Sequence, residues 1–102
     1  MTTSITARHC EISDELRTRA ELILTRLGGL IATPVDGTVV FDVAPTASTA
    51  EIRLHGGKGE NFNATGEDKD HRSALDRAEE KIRRQMDKTV QVKRGRGAKD
   101  VA

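Results

Sequence analysis

The spacing of apolar residues switches between two periods along this chain, and that alternation limits the possible folds more than any other feature. Two stretches carry apolar residues at helical spacing: positions 16, 20, 23, 24, 27, 30 and 31, and later Leu75, Ala78, Ile82 and Met86 with Ala74 beside them. The other runs have the two-residue period or β-branched character of strands. Thr3 to Arg8 alternates Thr and Ile, and Thr38 to Val43 is β-branched between Asp36-Gly37 and Pro45. Ala50, Ile52 and Leu54 alternate with Glu51, Arg53 and His55, and Phe62 and Ala64 alternate with Asn61, Asn63 and Thr65. The order is strand, helix, strand, strand, strand, helix. An α+β fold, with a mainly antiparallel four-stranded sheet and both helices on one face, buries every one of these stripes.

Local signals place the ends of these elements. Ser13 is an N-cap for the first helix, with Asp14 and Glu15 in the first turn where carboxylates complement the helix dipole. Gly28 and Gly29 weaken its C-terminal end and Pro34 closes the region. Gly56-Gly57-Lys58-Gly59 supplies the turn of a hairpin, and it lacks the following helix and Ser or Thr of a phosphate-binding loop. Asp68 or Asp70 caps the last helix, which ends near Lys88. The expected organisation is one α+β domain over 1–88 followed by a flexible basic tail over 89–102, loosened by Gly95 and Gly97.

Several function classes are excluded at this level. With 102 residues the chain forms one compact core, not a cavity walled by two lobes. The single cysteine, Cys10, allows no internal disulfide and no Cys-rich zinc site, which fits a reducing compartment. The longest apolar run is Leu22-Ile23-Leu24, and Met1 to Ala7 has neither the basic nor the apolar region of a secretory signal, so a cytoplasmic protein is expected. His9, His55 and His71 are dispersed, and adjacent His9 and Cys10 would point to opposite faces of a strand. No nucleophile, acid and base pair, metal site or cofactor fingerprint is present. The chain reads as a non-enzyme without a small-molecule substrate.

Charge distribution is more informative than the net value of +1. Residues 1–76 carry eight basic and twelve acidic groups, whereas residues 77–99 carry nine basic and three acidic. At about 100° per residue from Leu75, Arg77, Lys81, Arg84 and Lys88 cluster near 180° to 240°, opposite the core stripe. Asp76, Glu80 and Asp87 fall on the flank. Four like charges in one sector repel one another, so a helix built for stability alone would alternate signs there. The tail continues the sign with Lys93, Arg94, Arg96 and Lys99, and such a cationic edge suits a polyanion. Arg19 and Arg26 share one side of the first helix, where Asp14, Glu15 and Glu21 offer local partners. Phe41 and Phe62 are the only residues among Phe, Tyr and Trp and belong to the core, so there is no platform of these rings for stacking single-stranded bases. Phosphate and shape recognition of folded RNA remains.

The chain also resembles a known family. Ile5-Thr6-Ala7-Arg8-His9, Glu11-Ile12-Ser13-Asp14-Glu15-Leu16-Arg17, Gly66-Glu67-Asp68, Ser73-Ala74-Leu75-Asp76, Glu80-Lys81-Ile82 and Arg84-Gln85-Met86-Asp87-Lys88 together resemble the ribosome hibernation promoting factors. This family includes the ribosome-associated inhibitor protein Y and carries the old label sigma-54 modulation protein. The resemblance covers residues 5–88 and implies a β-α-β-β-β-α domain similar to double-stranded RNA-binding domains. It implies binding to the small ribosomal subunit and its rRNA at the decoding region, over the mRNA and tRNA sites, silencing translation in stationary phase or stress. It points to the short type, in which ribosome pairing needs a separate factor.

The resemblance transfers rRNA-facing positions to Lys81, Arg84, Lys88 and Arg26, while Arg77 and Arg83 are charges beyond the family pattern. Further departures are Ile23, where relatives carry a second basic residue on the first helix, and His71-Arg72 in place of Met-Tyr. Two other readings stand beside this one. The exposed sheet face or the acidic first part could make a protein-interaction module that modulates a transcription regulator. Alternatively, the chain is a general binder of structured RNA.

Overall fold

The computed structural model describes residues 1–101, with side chains through Lys88. The helix expected to end near Lys88 continues in its backbone to Val101, into the stretch expected as a flexible tail, and the side chains of 89–102 lie outside the described residues. The elements run β1 (Thr2–Ala7), α1 (Asp14–Gly28), β2 (Pro34–Ala44), β3 (Ala47–Gly56), β4 (Asn61–Asp68) and α2 (His71–Val101). Element order agrees with the order of the sequence periods, and β2 and β4 are longer than the cores of alternation that announced them.

The sheet order is β1-β2-β3-β4. β1 pairs parallel with β2, Ile5 opposite Val39, because α1 returns the chain to the same end of the sheet before β2 begins. The other two pairings are antiparallel. β2 and β3 are joined by the two-residue turn Pro45-Thr46, and β3 and β4 by Gly57 to Glu60, where Gly59 takes a φ of 85° that a side chain would oppose.

Registry assigns each strand residue to one face. Val39, Phe41, Ala50, Ile52, Leu54 and Ala64 point toward the helices and are buried. They meet Ala20, Ile23, Leu24 and Leu27 of α1 and Ala74, Leu75, Ala78, Ile82 and Met86 of α2 in one core. Each fully buried Leu, Ile or Phe in this layer contributes roughly 1.5–3 kcal/mol. The opposite sheet face is polar, with Thr38, Glu51, Arg53, His55, Asn63 and Thr65.

The caps follow the sequence. The Ser13 hydroxyl accepts from the Leu16 N–H at 3.1 Å. α1 stops at Gly28, so Leu30 and Ile31, counted above in its stripe, fall beyond the helix: Ile31 is buried and Leu30 is 56% exposed. Pro34 opens β2. His9 and Cys10 follow β1 and lie outside it, with His9 at a φ of 58° and its Nδ1 3.2 Å from Asp42 Oδ1. At the outer edge of the sheet, the Arg17 guanidinium donates to the Ile5 carbonyl at 3.2 Å.

Candidate nucleic-acid interface

α2 begins where Asp70 caps it. The Asp70 carboxylate accepts from the Ser73 N–H at 2.8 Å and its carbonyl from the Ala74 N–H at 3.0 Å. Asp68, the other capping candidate, instead binds the Lys69 N–H and Arg77. His71 Nε2 lies 2.9 Å from the Asp42 carbonyl oxygen, and its ring meets Phe41 edge-on at 5.7 Å. Asp68, Asp70 and His71 thus have three separate partners. Among the described residues no group of three or more His, Cys, Asp or Glu is arranged to hold a metal ion.

The apolar side of α2 lies over β3 and β4. Gly66 on β4 allows this contact: a Cβ there would stand 2.6 Å from the Ala78 nitrogen and closer still to the Ala74 carbonyl oxygen. With the helix backbone this near, side chains flanking the apolar stripe reach the free edge of β4. Lys81 Nζ donates to the Thr65 carbonyl at 2.9 Å, and Gln85 Nε2 donates to the Asn63 carbonyl at 2.7 Å. Arg77 Nε donates to Asp68 Oδ2 at 2.5 Å.

The basic stripe therefore leans toward the β4 edge instead of standing directly opposite the core. Farther out, Arg84 pairs with Glu80 one turn back at 2.5 Å, both exposed. Lys88 is exposed and has no partner among the described residues. Arg84, Gln85, Asp87 and Lys88 line a wide recess of about 420 Å³, open to solvent on one side.

The remaining predicted cations sit on the other flank of α2, in the groove against α1. Glu79 is shared by Arg26 of α1 at 3.4 Å and Arg83 at 3.9 Å. Arg19 donates to Asp76 at 2.7 Å. The partners of Arg19 and Arg26 are thus carboxylates of the other helix, and not Asp14, Glu15 or Glu21 on their own. The six predicted residues form two groups: Arg77, Lys81, Arg84 and Lys88 along the β4 side, and Arg26 with Arg83 in the interhelical groove.

Electrostatics follow these contacts. The Arg77 guanidinium, with help from the Lys69 N–H, holds the Asp68 carboxyl below its ordinary value, and Asp68 raises Arg77 in return. Asp42 is lowered by the Val43 N–H first and by His9 second. Burial pushes the Cys10 thiol up, which leaves it a poor nucleophile.

Sequence reasoning found the cations and missed their partners. Two of them were legible, because Glu79-Arg83 and Glu80-Arg84 stand at the i,i+4 spacing of helical ion pairs. Asp68, Asp76 and the carbonyls of Asn63 and Thr65 become partners only through tertiary packing. No helix among the described residues is long and apolar enough to cross a membrane.

Comparison with known proteins bears on the fold and the family. No curated protein matches the chain. Among solved structures, the Protein Y N-terminal domain of Thermus thermophilus superposes with a TM-score of 0.73 at 28% identity, covering 87% of this chain and 99% of that one. A ribosomal subunit interface protein from Coxiella burnetii superposes with the same TM-score of 0.73 at 22% identity, covering 87% of this chain and 97% of that one, and so shares the fold. A family model described as sigma 54 modulation protein / S30EA ribosomal protein matches residues 3–94. With nearly its whole length matched, the chain belongs to this family of ribosome-associated, non-enzymatic proteins.

Proposed function

We propose that this protein is a cytoplasmic ribosome hibernation factor, which binds the decoding region of the small ribosomal subunit and silences translation in stationary phase or stress. It acts by occupying the mRNA and tRNA sites, so it needs no cofactor and turns over no substrate. Residues 1–88 form the binding domain, and residues 89–102 extend its basic character as a tail.

The observation that carries this reading is the β4-side flank of α2. Arg77, Lys81, Arg84 and Lys88 occupy one sector of a helix whose other side is fixed into the core. Their ion pairs are exposed, and exposed pairs are worth only about 0–1 kcal/mol, so phosphate competes with the carboxylates. Arg26 and Arg83 in the interhelical groove supply a second line of contact. Membership of a family of ribosome-associated proteins makes rRNA the polyanion of choice.

The test is co-sedimentation with purified small subunits across a salt series. The expected result is binding that weakens steeply with salt, its log–log slope falling by about 0.9 for each phosphate contact removed. Reversing Arg84 and Lys88 to Glu together, which leaves the Lys81 contact with β4 intact, abolishes binding and translational inhibition while the chain stays folded. Unchanged binding by the folded double variant would refute the assignment. Loss of binding on substituting Glu51 or Arg53 instead would favour the protein-interaction reading.

A further inference from the structure

The arginines and lysines of the basic flank differ in one respect. Among the α2 residues with described side chains, every arginine except Arg72 has a carboxylate within ion-pair distance: Arg77 with Asp68 at 2.5 Å, Arg83 with Glu79 at 3.9 Å, and Arg84 with Glu80 at 2.5 Å. The lysines have none among the described residues. Lys81 rests on the Thr65 carbonyl and Lys88 is open. We infer that Asp68, Glu79 and Glu80 are specificity-determining residues, which pair with the arginines in the free protein and, Asp68 and Glu79 by staying in place and Glu80 by swinging aside, admit only RNA that presents several phosphates in register. The inference rests on the RNA-binding reading of α2 above.

The chemistry is competition for one kind of receptor. A guanidinium fork donates to the oxygens of carboxylate and phosphate in the same planar geometry, whereas an ammonium is a point charge with no such preference. An isolated phosphate that displaces one carboxylate exchanges one charge-assisted contact for another. It also brings its own negative charge beside the displaced acid, so the exchange is close to neutral. A surface that engages several arginines together releases many condensed counterions for the same local exchanges, and there the balance favours binding.

The three acids differ in how far they can withdraw. Asp68 is held by the Lys69 N–H at 2.7 Å and Glu79 is only 16% exposed, so both remain in place beside their arginines. Glu80 is 64% exposed, at the outer surface, and swings aside most easily. The fixed acids therefore constrain the direction from which phosphate can approach Arg77 and Arg83, and Glu80 sets the threshold at Arg84.

Glu80→Gln tests this, with Glu51→Gln as the charge-matched control, since Glu51 pairs with Arg53 at 2.8 Å on the sheet face opposite the helices. Binding to purified small subunits and to an unrelated RNA duplex of about 16 base pairs is measured for each protein. Glu80→Gln should tighten duplex binding about three- to fivefold, with a smaller gain on subunits, so discrimination narrows. Glu51→Gln should leave both affinities within about twofold. An unchanged duplex affinity in Glu80→Gln, or an equal gain in both variants, overturns the inference. Failure of the parent chain to bind subunits, with duplex binding still tightened by Glu80→Gln alone, removes the hibernation reading and leaves the masking of arginines supported. Absence of RNA binding by every variant overturns both.

Discussion

Gln85 on α2 pairs with the backbone of Asn63 on β4 as a neighbouring strand would, donating from Nε2 to the Asn63 carbonyl at 2.7 Å and accepting from its N–H at 3.4 Å. Four residues earlier, Lys81 covers the Thr65 carbonyl. The helix that presents the cations is thus also the cover of the sheet's last edge. Orientation of the basic flank and satisfaction of β4 depend on the same few contacts.

Gln85→Ala should therefore destabilise the domain by about 1–2 kcal/mol, the usual net worth of one good and one long hydrogen bond. A urea titration checks this through a lowered midpoint with an unchanged slope. An unchanged midpoint would show that water replaces the side chain at Asn63 without cost.

Gly66→Ala should cost more, about 3 kcal/mol or above, because the added methyl meets helix backbone at Ala74 and Ala78 and not a side chain that can rotate away. Thermal unfolding measures the loss. The displaced helix also shifts Lys81 and Gln85 from β4, so subunit binding should weaken in parallel at temperatures where the variant remains folded. Wild-type stability in this variant would contradict the close approach of α2.

Acid should expose the Arg77–Asp68 contact. The folded-state value of Asp68 lies below the ordinary 3.8, so its contribution to stability is fully present above that value and is lost as pH falls through the folded one. The stability difference between the parent chain and Asp68→Asn should be constant from neutral pH down to about 5 and shrink below 3.8. Denaturant midpoints at pH 7, 5 and 3 decide this. A difference at pH 3 equal to that at pH 7 would show that charge on Asp68 contributes nothing.

Much of this fold was legible because its apolar pattern changes period where the structure changes element. Leu75, Ala78, Ile82 and Met86 could only be one face of a helix, and Ala50, Ile52 and Leu54 only one face of a strand. Parallel pairing of β1 with β2 is not written in either strand; it follows from the crossover through α1. The candidate site was legible in its cations and less so in its geometry. Helical angles take the helix alone and set Arg77 and Lys81 opposite the core, whereas the nearness of α2 to Gly66 brings both within reach of β4. Arg19 and Arg26 were similarly assigned local acids, but Asp76 and Glu79 lie across the groove at bonding distance. Long flexible side chains find partners by tertiary proximity, which spacing along one helix does not encode.

The two margins of the sheet are unequally protected. β4 is sealed at Asn63 and Thr65 by side chains of α2, while β1 has the Arg17 guanidinium over the Ile5 carbonyl as its side-chain cover among the described residues. An unsealed strand is a template on which another chain can add. Detachment of α2 would convert a sheet with one template margin into a sheet with two, and a unit with two such margins can propagate where a unit with one can only dimerise. The helix proposed to meet RNA thus also covers a template margin, and charge changes introduced to test RNA binding are best chosen among residues, such as Arg84 and Lys88, that hold no part of that seal.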